Sequence, residues 1–175
     1  MERASREPPV VLGFVAPSGT GKTTLLCALV PILRARGLRV GAVKHTHHGF
    51  DLDHPGKDSH RLREAGVERM LLVGPGRWAL LADDEGDAGD TLDRALAHMD
   101  GGGLDLVLVE GYRGARFPKI ELCRAALGEA PLYPGDATVV AVAASGALPA
   151  PTELPVLPLD EPEAIADFIL AFMRR

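Results

Sequence analysis

Residues 16–24 read APSGTGKTT, and no other stretch constrains the fold as much. The segment follows directly on VVLGFV (residues 10–15), a nearly continuous apolar run of the kind found in strands covered on both faces of a parallel sheet. It opens into residues 22–36, where Leu25, Leu26, Leu29, Val30, Ile32 and Leu33 recur at helical spacing, Arg34 and Arg36 occupy the last turn, and Gly37 supplies a stop. A strand, a glycine-rich turn and a helix N-terminus in that order form an anion cradle, because backbone N–H groups converge and the helix dipole adds positive character. Gly19 and Gly21 let the chain wrap around phosphate, with Ser18, Thr20 and Thr24 completing the loop. Lys22 is expected on the β- and γ-phosphates and the Thr23 hydroxyl on magnesium. Ala16 stands where the general pattern has glycine, but the residues with direct chemical roles are all present.

The rest of the chain extends this start into an α/β fold. Residues 38–43 form a second apolar run, so the first 43 residues spell strand, loop, helix, strand, a unit that crosses over right-handedly when its strands are parallel. Pro31 lies inside the first helix and is expected to kink it. A short helix over residues 58–65, stopped by Gly66, precedes two strand candidates, 67–73 and 77–82, which flank Gly74-Pro75-Gly76 as a hairpin. That hairpin is expected to add antiparallel strands to an otherwise parallel sheet. Residues 83–89, DDEGDAG, lack the EF-hand spacing and read as a solvated acidic loop. Further on come a helix over 91–99 capped by Asp90, a strand over 104–109 ending at Glu110-Gly111, and a strand over 138–143. The last helix opens on a capping box of Asp160 and Glu163 with Pro162 in the first turn, and buries Ile165, Phe168, Ile169, Phe172 and Met173. The expected architecture is a P-loop NTPase domain over residues 10–175, mostly parallel with helices on both faces, after a flexible leader of residues 1–9.

Charge and cysteine usage narrow the partners. Nineteen Lys and Arg against 24 Asp and Glu give a net charge of −5, which argues against a broad basic face for nucleic acid. Cys27 and Cys123 are too few for a disulfide scaffold and form no CxxC. No apolar run approaches the roughly 18 residues of a membrane span. A soluble, uncleaved cytoplasmic protein with free thiols, and with neither nucleic acid nor membrane as partner, is the expectation.

Two further constellations fall where ligands bind open α/β sheets, beyond the strand C-termini. Glu110 ends the apolar run LDLVLV, so its carboxylate is placed to reach magnesium or its water from the strand next to the phosphate loop; the alternative is a carboxylate that only caps the following loop. Tyr112, Arg113 and Arg116 follow on the same rim, where an arginine can meet phosphate, an acidic partner or simply solvent. The second constellation, KHTHHGFDLD over residues 44–53, offers Lys44 as a phosphate donor and Asp53 as a magnesium or water ligand. His45, His47 and His48 within it are open to three readings: sensing of nucleotide or partner, a polar structural loop, or a transition-metal site. The expected catalytic set is therefore Lys22, Asp53 and Glu110, with Thr23, Asp53 and Glu110 at the metal.

With these segments in view, the chain resembles the adapter protein B family of molybdopterin guanine dinucleotide biosynthesis. The likeness runs through SGTGKTTLL (18–26), VKHTHH (43–48), DLDHPGKDS (51–59), RWALL (77–81), DLVLVEGY (105–112) and PKI (118–120). It implies a homodimer that binds GTP with magnesium, hydrolyses it weakly, and assists the nucleotidyltransferase that joins GMP to molybdopterin. The guanylyltransferase, molybdopterin or a molybdoenzyme are the implied partners, and Lys119 is implied to face the nucleotide or a partner. No N-K-x-D guanine motif is present, and Gly146 stands where the family usually carries an acidic residue; if that residue reads guanine in the family, a backbone group or another loop must do so here. A small-molecule kinase and a metal-delivery GTPase share the P-loop and are the competing readings; a kinase needs an acceptor pocket and an arginine-bearing lid.

Overall fold

The computed structural model describes residues 8–46, 54–82, 91–99, 103–125 and 130–174. The chain divides into two compact units, Met1–His45 with Leu92–Arg175, and Thr46–Thr91.

The larger unit is built on β1 (Val10–Val15), β2 (Val40–Lys44), β5 (Leu106–Glu110), β6 (Lys119–Arg124), β7 (Val139–Ser145) and β8 (Val156–Pro158). These strands form a six-stranded sheet in the order β2-β5-β1-β6-β7-β8, and every pairing is parallel. Strands buried on both faces need apolar residues at every position, and β5 meets that demand. Leu106 and Leu108 point into one cluster and Val107 and Val109 into another, all fully buried. The first cluster takes Leu25, Leu29 and Leu33 of α1 (Lys22–Ala35) and Ile165 and Ile169 of α4 (Pro162–Phe172). The second takes Leu92 and Leu96 of α3 (Thr91–Ala97). Helices therefore cover both faces. Gly13 in β1 is required by close approach: a Cβ there would lie 2.6 Å from the Phe117 ring.

The smaller unit holds α2 (Asp58–Glu64) and the hairpin of β3 (Arg69–Gly74) and β4 (Arg77–Ala82). Gly76 turns it with φ 74°, as a tight connection requires. The hairpin forms a two-stranded sheet of its own and does not extend the parallel sheet, contrary to the sequence expectation. The acidic segment 83–89, Asp90 and most of the leader lie outside the described residues.

α1 is one helix with Pro31 inside it. Two other local expectations change. The capping box does not form: Glu161 is the N-cap of α4 without a side-chain bond to the helix, and the Asp160 carboxylate instead accepts from Arg124 Nη2 at 3.2 Å. The strand over 138–143 begins at Val139, where pairing with β6 shifts register between Lys119 and Ile120. Among the described residues no helix is long and apolar enough to cross a membrane.

Candidate functional site

The phosphate loop runs between the end of β1 at Val15 and the start of α1 at Lys22. Gly19 and Gly21 adopt φ 80° and 99°, a left-handed conformation open to glycine at little cost. Gly21 is also the N-cap of α1 and brings no side chain to the helix end, so the first-turn N–H groups receive no side-chain cap. Thr20, 1% exposed, closes the loop by donating its hydroxyl to Pro17 O at 2.8 Å. Ser18, Gly19, Thr23 and Thr24 are exposed around it.

Lys22 folds back over this loop. Its Nζ donates to Ala16 O at 2.8 Å and to Pro17 O at 2.9 Å. Burial holds its pKa below the ordinary lysine value; Glu110 opposes that shift, and Lys44 and Arg113 add to it. An ammonium short of water and flanked by other cations gains most from a nearby anion, which is what a phosphate would supply.

Glu110 stands at the end of β5, in register with Phe14 of β1 on one side and Lys44 of β2 on the other. The adjacent strands β2, β5 and β1 thus bring their C-terminal ends together at one end of the sheet. The Thr23 hydroxyl donates to Glu110 Oε1 at 2.8 Å and Oε2 at 3.0 Å, and Lys44 Nζ lies 3.2 Å from Oε1 and donates to Thr23 Oγ1 at 3.3 Å. Thr23, Glu110 and Lys44, separated widely in sequence, are one cluster. Its hydroxyl and carboxylate oxygens are hard donors, the chemistry magnesium takes. Asp53, His47 and His48 lie outside the described residues, and among those described no group of three or more His, Cys, Asp or Glu could hold a metal.

Beyond Glu110 the chain turns sharply, with Gly111 at φ 99° and Tyr112 at φ 53°. Gly111 N donates to Phe14 O and His45 N to Glu110 O, and the His45 and Tyr112 rings sit 4.5 Å apart. Lys119, implied by resemblance to face a ligand, lies inside the fold at 1% exposure. Its ammonium donates to Arg113 O, Ala115 O and Asp136 Oδ2, and sits 5.3 Å from the Phe117 ring centre. It pins the rim loop from below. Asp136 is held below the usual carboxyl pKa by the Thr138 hydroxyl first, then by the Thr138 N–H and Lys119, against the opposing effect of burial.

Two residues near the loop escaped the sequence reading. Arg124, at the end of β6, donates from Nε to Thr20 O at 2.9 Å and so braces the phosphate loop from the sheet. Glu121, 2% exposed, accepts from the backbone N–H groups of Leu132 and Tyr133. A pocket opens here between Pro17, Thr20, Cys123, Arg124, Ala147 and Pro149. Cys123 is only partly exposed in it, and burial, with Glu121, pushes its thiol up to about 11. KIELCR alternates charged and apolar residues, but its charged positions Lys119 and Glu121 are buried as well, so the alternation does not mark the faces of β6.

Comparison with known proteins bears on the same residues. The family model of molybdopterin guanine dinucleotide synthesis protein B matches residues 11–145, which include the phosphate loop, Lys44 and Glu110. The chain is 41% identical over 166 residues to the molybdopterin-guanine dinucleotide biosynthesis adapter protein of Escherichia coli, covering 94% of each chain. To the protein of the same description from Haemophilus influenzae it is 40% identical over 159 residues, covering 91% of this chain and 86% of that one. The crystal structure of a MobB protein homolog from Bacillus stearothermophilus superposes with a TM-score of 0.70 at 28% identity, over 94% of this chain and 97% of that one.

Proposed function

The chain belongs to the molybdopterin guanine dinucleotide synthesis protein B family, and on that premise we propose that it is a cytoplasmic GTP-binding adapter with weak GTPase activity, assisting the nucleotidyltransferase that attaches GMP to molybdopterin. The observation that carries this reading is the convergence of Lys22, Thr23, Lys44 and Glu110 at the mouth of the phosphate loop. In it the backbone of Ser18, Gly19, Thr20, Gly21 and Thr24 wraps the phosphates and Lys22 meets their β- and γ-oxygens. Lys44 is a second phosphate donor. Thr23 and Glu110, with Asp53, would hold magnesium, which when bound neutralises phosphate charge. The pocket beside Arg124 offers the base an apolar floor and the backbone of the loop after β7 for its polar edge. The guanylyltransferase is the partner in this reading, with molybdopterin or a molybdoenzyme at the same assembly.

Weak turnover follows from what the carboxylate is doing. Both Glu110 oxygens accept from Thr23, and Lys44 pairs with one of them, so Glu110 is tied to binding and is not free to orient an attacking water. We expect the protein alone to hydrolyse Mg-GTP well below the ~1–100 s⁻¹ typical of kinases. Phosphate release at that rate, without a partner, would favour the small-molecule kinase instead.

The smaller unit supplies the dimer in the same reading. Cross-strand partners Leu71 and Leu80, and Val73 and Trp78, share one face of the hairpin, and these side chains are 54%, 38%, 77% and 69% exposed. A contiguous apolar face on a two-stranded sheet is an association surface. A homodimer through this face predicts that Trp78→Ser lowers the mass seen in sedimentation equilibrium from twice 18.5 kDa toward 18.5 kDa. Wild-type protein that sediments as a monomer at tens of micromolar would remove the dimer.

A further inference from the structure

Lys44 holds both oxygen-bearing groups that the proposed function gives to magnesium. Its ammonium lies 3.2 Å from Glu110 Oε1 and 3.3 Å from Thr23 Oγ1. The placement is set by the backbone, because β2 and β5 pair in parallel with Lys44 directly opposite Glu110. Burial is uneven: the Glu110 side chain is 12% exposed and that of Lys44 is 55% exposed. A solvent-fed, flexible cation therefore reaches onto a nearly buried carboxylate.

The hydrogen-bond directions make the cluster a cation site already filled from within. Thr23 gives its hydroxyl proton to Glu110, which leaves the oxygen to act only as an acceptor, and Lys44 takes one of its lone pairs. Magnesium binding needs a lone pair of the same hydroxyl and a carboxylate oxygen, each at about 2.0–2.1 Å. An ammonium and a divalent ion drawn to the same two oxygens lie close together, and their like charges repel there.

We propose that Lys44 is a tethered cation that occupies the magnesium position and competes with the metal for Thr23 and Glu110. The two alternate. With the metal away, Lys44 holds the cluster and neutralises the incoming phosphates; on metal entry its half-exposed side chain withdraws into solvent. This confines the phosphate-donor role of Lys44 to the metal-free complex, and it rests on the reading of Thr23 and Glu110 as magnesium partners. The consequence is a nucleotide affinity that depends only weakly on magnesium. Lys44 is thus a regulator of metal dependence.

The test is a thermodynamic ratio that needs no turnover: the dissociation constant of a non-hydrolysable GTP analogue in chelator divided by that in saturating magnesium, measured by calorimetry on the full chain. Lys44→Met should raise this ratio about tenfold, mainly by weakening the metal-free complex. Lys44→Arg, which keeps the charge, should hold it near wild type. Glu110→Gln should collapse the ratio toward one. If Lys44 is an ordinary phosphate donor, both constants rise together in Lys44→Met and the ratio stays put, which overturns the proposal while Glu110→Gln still reports a metal site. If Glu110→Gln also leaves the ratio unchanged, the metal does not sit at this cluster and both readings fall. Apo thermal melts of the three variants identify any that fail to fold, and a misfolded Lys44→Met is replaced by Lys44→Gln in the same comparison.

Discussion

Lys22→Ala should lower the affinity for Mg-GTP by about 100-fold or more. The ammonium makes two charge-assisted hydrogen bonds to Ala16 and Pro17 carbonyls, which keeps those oxygens from facing an incoming phosphate bare. The variant loses this screen and the cation itself. Charged hydrogen bonds are worth roughly 1.5–3 kcal/mol each, and about 1.4 kcal/mol is a factor of ten in affinity. Part of the lost energy is offset without nucleotide, since burial and the neighbouring Lys44 and Arg113 disfavour the Lys22 charge. Apo stability should therefore change far less than binding. Calorimetry checks the first expectation and a thermal melt the second; a variant that still binds Mg-GTP as wild type does would take Lys22 out of the site.

The largest effect on stability is expected at Lys119, which no nucleotide need touch. Lys119→Met keeps the stem and deletes the ammonium, leaving the carbonyls of Arg113 and Ala115 and the Asp136 carboxylate without their donor. The Asp136 side chain is 26% exposed and keeps the Thr138 N–H and hydroxyl, so the cost falls mainly on the two carbonyls that lose a charged donor, about 3 kcal/mol in all. For a chain of this size that is a fall of roughly 10 °C in melting temperature. Nucleotide affinity should fall less, because the Lys119 ammonium is enclosed beneath the rim loop and spent on Arg113 O, Ala115 O and Asp136. A melting temperature within about 2 °C of wild type would show that the rim loop stands without its pin. At low pH the same clamp has a defined sign: Asp136 has a folded pKa below its ordinary value, so its contribution is present above the ordinary carboxyl pKa and is lost as pH falls through the lower folded value.

What could be read from the sequence followed from unbroken patterns. The run VVLGFV, the helical spacing of Leu25, Leu29 and Leu33, and the apolar run up to Glu110 each state their element without help from distant residues. The rule that ligands bind beyond the C-termini of parallel strands then placed Glu110 and Lys44 at one edge with Thr23, and these three side chains do meet there. β6 was hidden because its alternation is Lys-Ile-Glu-Leu, with the charges at positions that are in fact buried. Lys119 and Glu121 are tolerated inside only because loops distant in sequence supply their partners, and a single-sequence pattern carries no sign of that. β8 is three residues long and shows no period. The capping box at Asp160 failed for a tertiary reason as well: Arg124 takes the carboxylate that local chemistry would have given to the helix. Arg124 itself was missed because its contact with Thr20 exists only once β6 lies beside β1. The hairpin was legible as a hairpin, but which sheet its strands join depends on edges that the sequence does not mark.

The edge formed by the phosphate loop, Lys44 and Glu110 is proposed to receive a magnesium guanine nucleotide. The direct measurement is calorimetry of the wild-type chain with Mg-GTP and Mg-ATP in parallel. One site per chain is expected, with a GTP affinity at least about tenfold above that for ATP, a preference of roughly 1.4 kcal/mol. Binding of ATP as tight as GTP, or no binding of either, would contradict it.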